Sequence, residues 1–341
     1  MNTISRRGML RAVGAAAAGV ALASGTVATA SAAPAAATAT TTCAMQTLPV
    51  PADTYRSDAA AIDPSGRFIV GSAIVRRDTD TYPLLLWDRD QLTTFDAPVL
   101  GGTPVDVNRN GVVIGNGSTG LLSTPWRYSN GVGTLLPVID PADQATVVAI
   151  NSRGDVAGVG LTPAGQRYGM MWPADQPGAV RVINTPSTDS VLIGLTDDGT
   201  IVGSSGGLLE PTSWLRTPHG VLRPLTGPDG AVGTSVHAAA GHWAVGQGYQ
   251  AGTPVGLRWD LRTRRLTVLA PSLGSSPTDV NAQGVVLAGD VLQRGNTVVT
   301  LPSPSPDHII GGRAIADNAT VIGFHNPRIP GGVRAVRWTG C

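Results

Sequence analysis

The stretch AIDPSGRFIVG, residues 61–71, contains the unit that decides the fold. It joins a short apolar segment, an Asp followed three positions later by Gly66, and an apolar run that ends at Gly71. The Asp side chain can bond the turn backbone, and the glycine can adopt a positive φ. The pattern therefore predicts a tight hairpin between two antiparallel strands.

Seven copies of this unit follow one another along the chain. Their closing glycines are Gly71, Gly115, Gly158, Gly203, Gly246, Gly289 and Gly323, at spacings of 44, 43, 45, 43, 43 and 34 residues. A third predicted strand that carries a tryptophan follows six of the units, at Trp87, Trp126, Trp172, Trp214, Trp259 and Trp338. A polar turn and a fourth strand complete the repeat. Four short strands in about 44 residues are typical of a propeller blade, and we expect the tryptophans to pack between blades.

The two chain ends complete each other. The seventh unit lacks a fourth strand, and Met45–Pro51 resembles the fourth strands at Gly133–Pro137 and Thr297–Pro302. We therefore predict an all-β, seven-bladed β-propeller over residues 43–341, in which the N-terminal strand completes the C-terminal blade and leaves no open edge. Cys43 and Cys341, the only cysteines, would then form a disulfide; free or intermolecular thiols are the alternative.

The sixth unit departs from the pattern. It has no tryptophan, and the chain from its closing glycine to its last strand is short, since Gly289 to Leu301 is only 12 residues. If one blade is irregular or three-stranded, we expect it to be this one. The fifth unit, Ala239–His242 followed by Gly246, is degenerate at its turn.

Residues 1–32 read as an export leader. Ser5–Arg11 resembles the twin-arginine motif, and a weakly apolar run follows it up to small-x-small cleavage sites that end at Ala30 or Ala32. Residues 33–42 contain only Ala, Pro and Thr, which predicts a flexible mature start. We predict a secreted protein; a retained N-terminal anchor is the alternative. No later stretch is long and apolar enough to span a membrane.

Composition excludes several function classes. The 24 basic residues, all Arg, balance 23 acidic ones and show no concentrated basic face, so a nucleic-acid partner is not expected. The sequence has no G-x-S-x-G elbow, no H-E-x-x-H pair and no P-loop. If both cysteines form the bridge, no thiolate remains for catalysis or zinc. We therefore predict no cofactor, no metal site and a monomer.

The propeller predicts two unlike faces. The short Asp/Asn-x-x-Gly hairpins lie on one, here called the turn face; the connections between blades and those from second to third strands lie on the other, the loop face. Function concentrates in such loops. The candidate ligand-binding residues on the loop face are Arg76, Arg77, Tyr82, Arg167, Tyr168 and Arg328, with Tyr55, Arg56, Asp58, Asp78, Asp80, Asp140, Asp143, Glu210 and Asp307 nearby. The alternative is a solvated, variable rim.

Three histidines are weak catalytic candidates. His237 falls on a predicted innermost strand and would line the channel, while His308 and His325 fall on the loop face in successive blades. Three imidazoles that converge on one channel would suit a metal ion or a general base. The spacing does not require convergence, and each such histidine is more often a lone surface or structural residue.

The units resemble those of the bacterial HAF-repeat, or "probable extracellular repeat", proteins, which share an I-N-x-x-G-x-V-V-G and A-x-x-W pattern. The resemblance covers residues 44–341 and departs at the fifth and sixth units. It implies a secreted propeller, but the motif carries no chemistry.

These observations favour a secreted binding or interaction module. Its ligand site would lie on the loop face near the central channel, and its partner would be a protein, a glycan or a small molecule. The alternative is an extracellular hydrolase or lyase that acts at the channel mouth. A purely structural envelope protein is a third possibility. The sequence does not decide whether the protein is an enzyme.

Overall fold

A computed structural model of the chain describes residues 43–141, 143–206, 211–231, 233–329 and 332–341. The predicted leader at residues 1–32, the segment 33–42 and Glu210 lie outside the described residues. Across those described ranges, no helix has the length and hydropathy needed to cross a membrane.

The described residues form short antiparallel strands joined by turns and loops. In the first half they are β1 (Ala44–Thr47), β2 (Thr54–Ile62), β3 (Phe68–Val75), β4 (Leu84–Asp88), β5 (Gln91–Phe95), β6 (Leu100–Val107), β7 (Val113–Thr119), β8 (Leu122–Ser129), β9 (Val132–Leu135), β10 (Gln144–Ile150), β11 (Val156–Leu161), β12 (Arg167–Trp172), β13 (Arg181–Ile183) and β14 (Val191–Leu195). In the second half they are β15 (Ile201–Ser205), β16 (Thr212–Arg216), β17 (Leu222–Leu225), β18 (Ser235–Ala240), β19 (Trp243–Gln250), β20 (Thr253–Asp260), β21 (Leu266–Val268), β22 (Asp279–Val280), β23 (Val286–Ala288), β24 (Val291–Arg294), β25 (Thr297–Thr300), β26 (Ile309–Ile315), β27 (Val321–Asn326) and β28 (Arg334–Thr339). Two single 3₁₀ turns span Pro228–Gly230 and Pro271–Leu273.

The strands build seven four-stranded sheets, which are the predicted blades. Blades 1 to 6 are β2–β5, β6–β9, β10–β13, β14–β17, β18–β21 and β22–β25, each in chain order. Blade 7 consists of β26, β27, β28 and β1. The first strand of each blade lies at the centre of the ring. The predicted seven-bladed propeller is confirmed.

The ring closes as predicted. Strand β1 pairs antiparallel with β28, with Ala44 opposite Thr339 and Thr47 opposite Val336. Cys43 and Cys341 form a disulfide with a Cα–Cα distance of 4.4 Å. The bridge stands where the other blades have a covalent turn between their third and fourth strands, on the turn face.

The closing glycine of the unit has a steric cause. A Cβ added at Gly71 would lie 2.0 Å from the carbonyl oxygen of Asp58, and one at Gly323 would lie 2.0 Å from that of Gly311. In both blades, a bulge in the innermost strand begins one residue after the residue that carries this carbonyl. The bulge brings the carbonyl close to the glycine. Blade 6, whose first strand has only two residues, carries Ala288 at the matching position.

The core is divided among seven clusters, one at each blade interface. Trp87, for example, is fully buried with Leu48 and Ile322 of blade 7. Its Nε1 donates to the carbonyl of Pro49, just after the last strand of blade 7, over 2.7 Å. The same bond to the preceding blade is made by Trp172, Trp259 and Trp338. The predicted packing of tryptophans between blades is confirmed.

Of the two alternatives for blade 6, the structure shows the irregular one, since the blade has four strands. The blade is irregular because its strands contain only two to four residues. The buried Gln293 occupies the register position of the missing tryptophan, opposite Val286. Its Oε1 accepts the N–H of Ala270, just after the last strand of blade 5. Leu273, from the neighbouring 3₁₀ turn, packs in the same interface cluster.

Candidate functional site

The first strands of all seven blades line a central cavity of about 290 Å³. Six of them contain a β-bulge near the turn face, and the extra residue of each bulge lines the cavity. A bulge leaves one residue outside the ladder and redirects its side chain. These residues, with Thr278 at the matching position of blade 6, form a ring of Ala60, Val105, Val148, Ile193, His237, Thr278 and Arg313.

The ring has two chemically different arcs. At the ring positions, blades 1 to 4 contribute only aliphatic side chains, from Ala60, Val105, Val148 and Ile193, here called the apolar arc. Blades 5 to 7 contribute His237, Thr278, Asp279 and Arg313, here called the polar arc. No Phe, Tyr or Trp of the described ranges lines the cavity. At the ring, hydrogen-bonding groups lie on one wall and hydrocarbon on the other, while Asp106 of blade 2 and Asp197 of blade 4 also line the cavity, closer to the turn face.

Asp106 and Asp279 occupy equivalent positions in blades 2 and 6 and bridge to the next blade. Asp106 accepts the N–H of Val107 at 2.8 Å and that of Ile150 in blade 3 at 2.9 Å. Asp279 accepts the N–H of Val280 and that of Ile315 in blade 7, both at 2.8 Å. The other five blades carry Ala or Gly at this position. Each carboxylate therefore ties two innermost strands together while facing the cavity.

Burial strongly affects these two carboxyl groups. It raises the pKa of both Asp106 and Asp279 to about 7, although their backbone hydrogen bonds oppose the rise. The charge of Asp106 adds to the effect on the pKa of Asp279. Both groups therefore exchange a proton near neutral pH, Asp279 within the polar arc and Asp106 on the side of the apolar arc.

Arg313 is the cation of the polar arc. Its Nη2 lies 2.8 Å from Oδ2 of Asp58, and its side chain keeps 45% of its surface exposed. Burial raises the pKa of Asp58, and Arg313 opposes the rise. The other Asp58 oxygen, Oδ1, is buried and has no hydrogen-bond partner in the described part of the chain. Asp58 thus holds the guanidinium group at the cavity wall through one edge.

His237 is held in one tautomer. Its Nδ1 lies 2.9 Å from the carbonyl oxygen of Pro277, and a carbonyl can only accept a hydrogen bond. Nδ1 therefore carries the proton, and in the neutral ring Nε2 has a free lone pair. His237 can accept a hydrogen bond from a ligand or act as a base.

A fixed ion pair crosses the turn-face end of the cavity. Arg109 Nη2 of blade 2 lies 3.1 Å from Asp317 Oδ2 of blade 7. Because blade 1 lies between these two blades, the ion pair spans the hairpin turn of blade 1. Asp317 also accepts the N–H of Ala282, and its own N–H donates to the carbonyl of Pro64. The pair therefore ties blade 2 to blade 7 at the turn-face end of the cavity.

The three candidate histidines do not converge. His237 lines the cavity as expected, but His308 and His325 do not. These two lie in contact, with His325 Nε2 2.8 Å from His308 Nδ1. They belong to blade 7 and its entry connection, not to successive blades. Burial, and then the charge of His308, lowers the pKa of His325. The described residues contain no group of three or more His, Cys, Asp or Glu that could hold a metal ion.

The loop-face candidates are distributed over three blades, and none lines the cavity. In blade 1, Arg76 stacks on Tyr55 and Arg77 pairs with Asp53 at 3.5 Å, while the Tyr82 side chain is exposed.

The other loop-face candidates lie on blades 3 and 7. In blade 3, Arg167 is exposed, and the Tyr168 hydroxyl donates to Asp143. Burial and this bond raise the pKa of Tyr168. Arg328 is exposed in blade 7. The structure therefore does not assemble these six residues, and their predicted ligand-binding role stays a prediction.

The loop face is uneven. The expected long connection from second to third strand is present in blade 1, at residues 76–83, and in blade 3, at residues 162–166. In blades 2, 5 and 6 it is only a two-residue turn, Gly120–Leu121, Ala251–Gly252 and Gly289–Asp290. Blades 5 and 6 are adjacent and contribute three of the four polar-arc residues. Short connections therefore stand beside the polar wall of the cavity.

Sequence reasoning missed Asp106, Asp279, Thr278 and Arg313. One signal for the two aspartates was present, because PVDVN at residues 104–108 and PTDVN at residues 277–281 share a Pro-x-Asp-Val-Asn pattern. Nothing comparable marks Arg313. Its place in the cavity depends on the bulge, and a shift of one residue moves a side chain to the other face of a strand.

No protein-family model matches the chain, and no curated protein matches it. Solved structures do share its fold. A catalytically inactive virginiamycin B lyase from Staphylococcus aureus with quinupristin aligns at 11% identity and a TM-score of 0.58, covering 87% of this chain and 99% of the lyase.

Two further structures are similar. The β-propeller domain of the Trilobed protease from Pyrococcus furiosus aligns at 9% identity and a TM-score of 0.61, covering 84% of this chain and 96% of that domain. A structure from a study of two prolyl endopeptidases aligns at 14% identity and a TM-score of 0.57, covering 83% of this chain and 50% of the peptidase. At these identities the similarity establishes the propeller fold alone.

Proposed function

We propose that this protein is a secreted binding module that holds a small molecule in the central cavity, entered from the loop face. The observation that carries the proposal is the two-sided cavity, in which the polar arc of blades 5 to 7 faces the apolar arc of blades 1 to 4. Ligand sites commonly combine an apolar wall with a few placed polar groups. A volume of about 290 Å³ lies at the lower end of the usual range of about 300–1,000 Å³, which favours a small ligand.

A cavity-filling variant tests this proposal. Ala60 lines the cavity, so Ala60→Phe should occupy it, whereas Ala52→Phe adds the same side chain at an exposed position. Binding would be measured by ligand-observed NMR on the purified, disulfide-bonded protein, with mixtures of small amines, carboxylates, amino acids and sugars. We expect binding to the wild type and to Ala52→Phe, and a loss of at least about tenfold in Ala60→Phe, since a filled cavity excludes the ligand. Equal binding to all three proteins would refute a cavity site.

Export through the twin-arginine route is part of the proposal. The disulfide supports it, because such bridges persist in oxidising compartments. Membership of the HAF-repeat class is likewise proposed, on the repeat pattern alone. Replacement of Arg6 and Arg7 by Lys should leave the protein inside the producing cell, and fractionation with a thiol-labelling assay would show where the bridge forms.

A hydrolase or lyase acting in the same cavity is the second candidate. The observation that favours it is the fixed tautomer of His237, which offers a basic Nε2, together with Asp279, whose pKa of about 7 suits proton transfer. It predicts turnover of a bound small molecule that falls at least about 100-fold in His237→Gln. Turnover that survives this substitution would remove His237 from the chemistry.

A further inference from the structure

We propose that the ligand of this cavity is a small aliphatic zwitterion, such as a free aliphatic amino acid, whose carboxylate binds Arg313 and whose ammonium group binds Asp279. The inference rests on the proposed binding function and adds the class of ligand. It follows from the chemistry of the two arcs and from the positions of the two charged groups.

The cation and the carboxyl of the polar arc belong to adjacent blades. Arg313 lies on the first strand of blade 7 and Asp279 on that of blade 6, and both line the same cavity. Arg313 is already paired with Asp58 but keeps further donors, so a ligand with only an ammonium group leaves those donors unused, and a ligand with only a carboxylate gives Asp279 no counter-charge. A molecule with both charges at one end matches both groups, and this is the arrangement in an α-amino acid.

Arg313 has donors to spare for a carboxylate. A guanidinium group presents five N–H donors, and its contact with Asp58 uses those of Nη2. Carboxylates bind guanidinium groups through two parallel hydrogen bonds. Asp58 fixes the orientation of the group, so less conformational entropy is lost when a ligand binds.

Asp279 gains a counter-charge from an ammonium group. Its carboxyl oxygens accept two backbone N–H groups, at 2.8 Å each, and no Arg stabilises its charge. Burial instead holds its pKa near 7. An ammonium group beside it would favour the ionised form. Thr278 and Nε2 of His237 are neighbouring acceptors for the remaining ammonium protons.

The opposite wall selects the body of the ligand. Val105, Val148 and Ile193 are branched aliphatic residues that line the cavity from blades 2, 3 and 4. They can bury a hydrocarbon side chain of a few carbons. The absence of Phe, Tyr and Trp from the lining, as far as the described residues show, removes the stacking platform that sugar or nucleobase rings use.

The test uses L-leucine and three analogues, each of which lacks one feature. Leucinamide has no carboxylate, 4-methylpentanoate has no ammonium group, and glycine has no aliphatic side chain. Affinities would be measured by titration calorimetry on the purified, disulfide-bonded protein. We expect L-leucine to bind most tightly, and each missing charge to weaken binding by about 10- to 100-fold, the usual value of a hydrogen bond to a charged group.

Two variants assign the charges to residues. Arg313→Gln should weaken the binding of L-leucine by at least about tenfold and leave the binding of leucinamide unchanged, since leucinamide has no carboxylate to contact Arg313. Asp279→Asn should weaken the binding of L-leucine and leave the binding of 4-methylpentanoate unchanged. Arg294→Gln, at an exposed arginine outside the cavity lining, is the matched control and should bind as the wild type does. If Asp279→Asn fails to fold, the comparison of L-leucine with 4-methylpentanoate on the wild type still tests the ammonium contact.

The outcomes separate this inference from the proposed function. If both charge-deficient analogues bind as tightly as L-leucine, the zwitterion is wrong, although the cavity still binds a ligand. If L-leucine does not bind while another small molecule is excluded by Ala60→Phe, the ligand class is again wrong and the binding function stands. If Ala60→Phe leaves the binding of every probe unchanged, the proposed function itself fails.

Discussion

The turn face and the loop face of this propeller are held in different ways. On the turn face, side chains of one hairpin bond the next blade: Asn108 Nδ2 donates to the carbonyl of Asn151 at 3.2 Å, and Asn281 Nδ2 to that of Ala316 at 3.0 Å. The same face carries the disulfide. Its hydrogen bonds therefore join blades to one another.

On the loop face, two ion pairs of blade 1 remain within that blade and its entry connection, whereas Asp58 pairs with Arg313 of blade 7. Arg76 pairs with Asp80 and Arg77 with Asp53, at 3.9 and 3.5 Å, and all four side chains are largely exposed. Exposed pairs of this kind contribute little to stability. The comparison teaches that the hydrogen bonds of the turn face hold neighbouring blades together, while the exposed ion pairs of the loop face can vary with little cost in stability. The following predictions test this division.

Loss of the disulfide should have the largest effect on stability. It joins residues separated by 298 positions, and in the chain-entropy model a loop of that length contributes roughly 5 kcal/mol. Cys43→Ser combined with Cys341→Ser should lower the free energy of unfolding by up to about that amount. Urea unfolding of the variant and the oxidised wild type would measure it. An unchanged midpoint would mean that the pairing of β1 with β28 closes the ring without help.

The second-largest effect on stability should come from removing one hydrogen bond between blades on the turn face. Asn108 is buried, and its Oδ1 accepts the N–H groups of Asn110 at 3.0 Å and Val112 at 3.1 Å, while Nδ2 reaches blade 3. Asn108→Ala should therefore destabilise the protein by about 2–4 kcal/mol, because buried polar partners lose their bonds. Asn108→Asp keeps both acceptor bonds but replaces the donor to blade 3 with a carboxylate oxygen that faces the Asn151 carbonyl, so its effect should be at least about 1–2 kcal/mol. Thermal and urea unfolding would compare the two. A loss close to zero in Asn108→Asp would show that the contact between blades contributes nothing.

The buried carboxyls at the cavity should produce a pH-dependent effect. The folded protein raises the pKa of Asp279 from 3.8 to about 7, so this carboxyl binds its proton more tightly when folded. Its contribution to stability is full below about pH 4 and is lost as pH rises from about 4 to about 7. Asn does not titrate. The difference in free energy of unfolding between wild type and Asp279→Asn should thus be larger at about pH 4.5 than at about pH 8. A difference that grows with pH would contradict the raised pKa.

Loop-face charges should have the smallest effect. Arg77→Gln removes an exposed ion pair with Asp53 and should change the free energy of unfolding by no more than about 0.5 kcal/mol. Urea unfolding under the same conditions as for Asn108→Ala would compare the two faces directly. A loss comparable with that of Asn108→Ala would show that the loop face also maintains the ring.

Local chemistry made the fold predictable from the sequence. An Asx residue and a glycine at fixed spacing determine each hairpin within a few residues, so seven hairpins could be recognised without any long-range information. The strand at Met45–Pro51 had no partner of its own, and the seventh unit lacked a fourth strand. Pairing the two therefore closes the ring. The packing of blade 6 was harder to predict from the sequence. Gln293 takes the place of the tryptophan only in one strand register, and that register depends on the two-residue turn at Gly289–Asp290.

The candidate site could not be predicted in the same way. Arg313 and His237 face the cavity because each is the extra residue of a bulge, and bulges change which side of a strand is exposed. In the sequence, Arg313 looks like any other charged residue between apolar neighbours. The rim residues Arg76, Arg167 and Arg328 were easier to notice because they stand in polar loops, yet they lie on different blades and share no cavity.

The sulfur bridge has a mechanical consequence. Tension that enters the chain at Cys43 and Cys341 passes directly from one sulfur to the other, and not through the chain between them. The blades then carry none of this tension. Reduction of the bridge would transfer the same tension to the four paired residues of β1, which would detach one after another. The oxidation state of two cysteines thus determines whether a pulled ring stays shut or unrolls from its last blade.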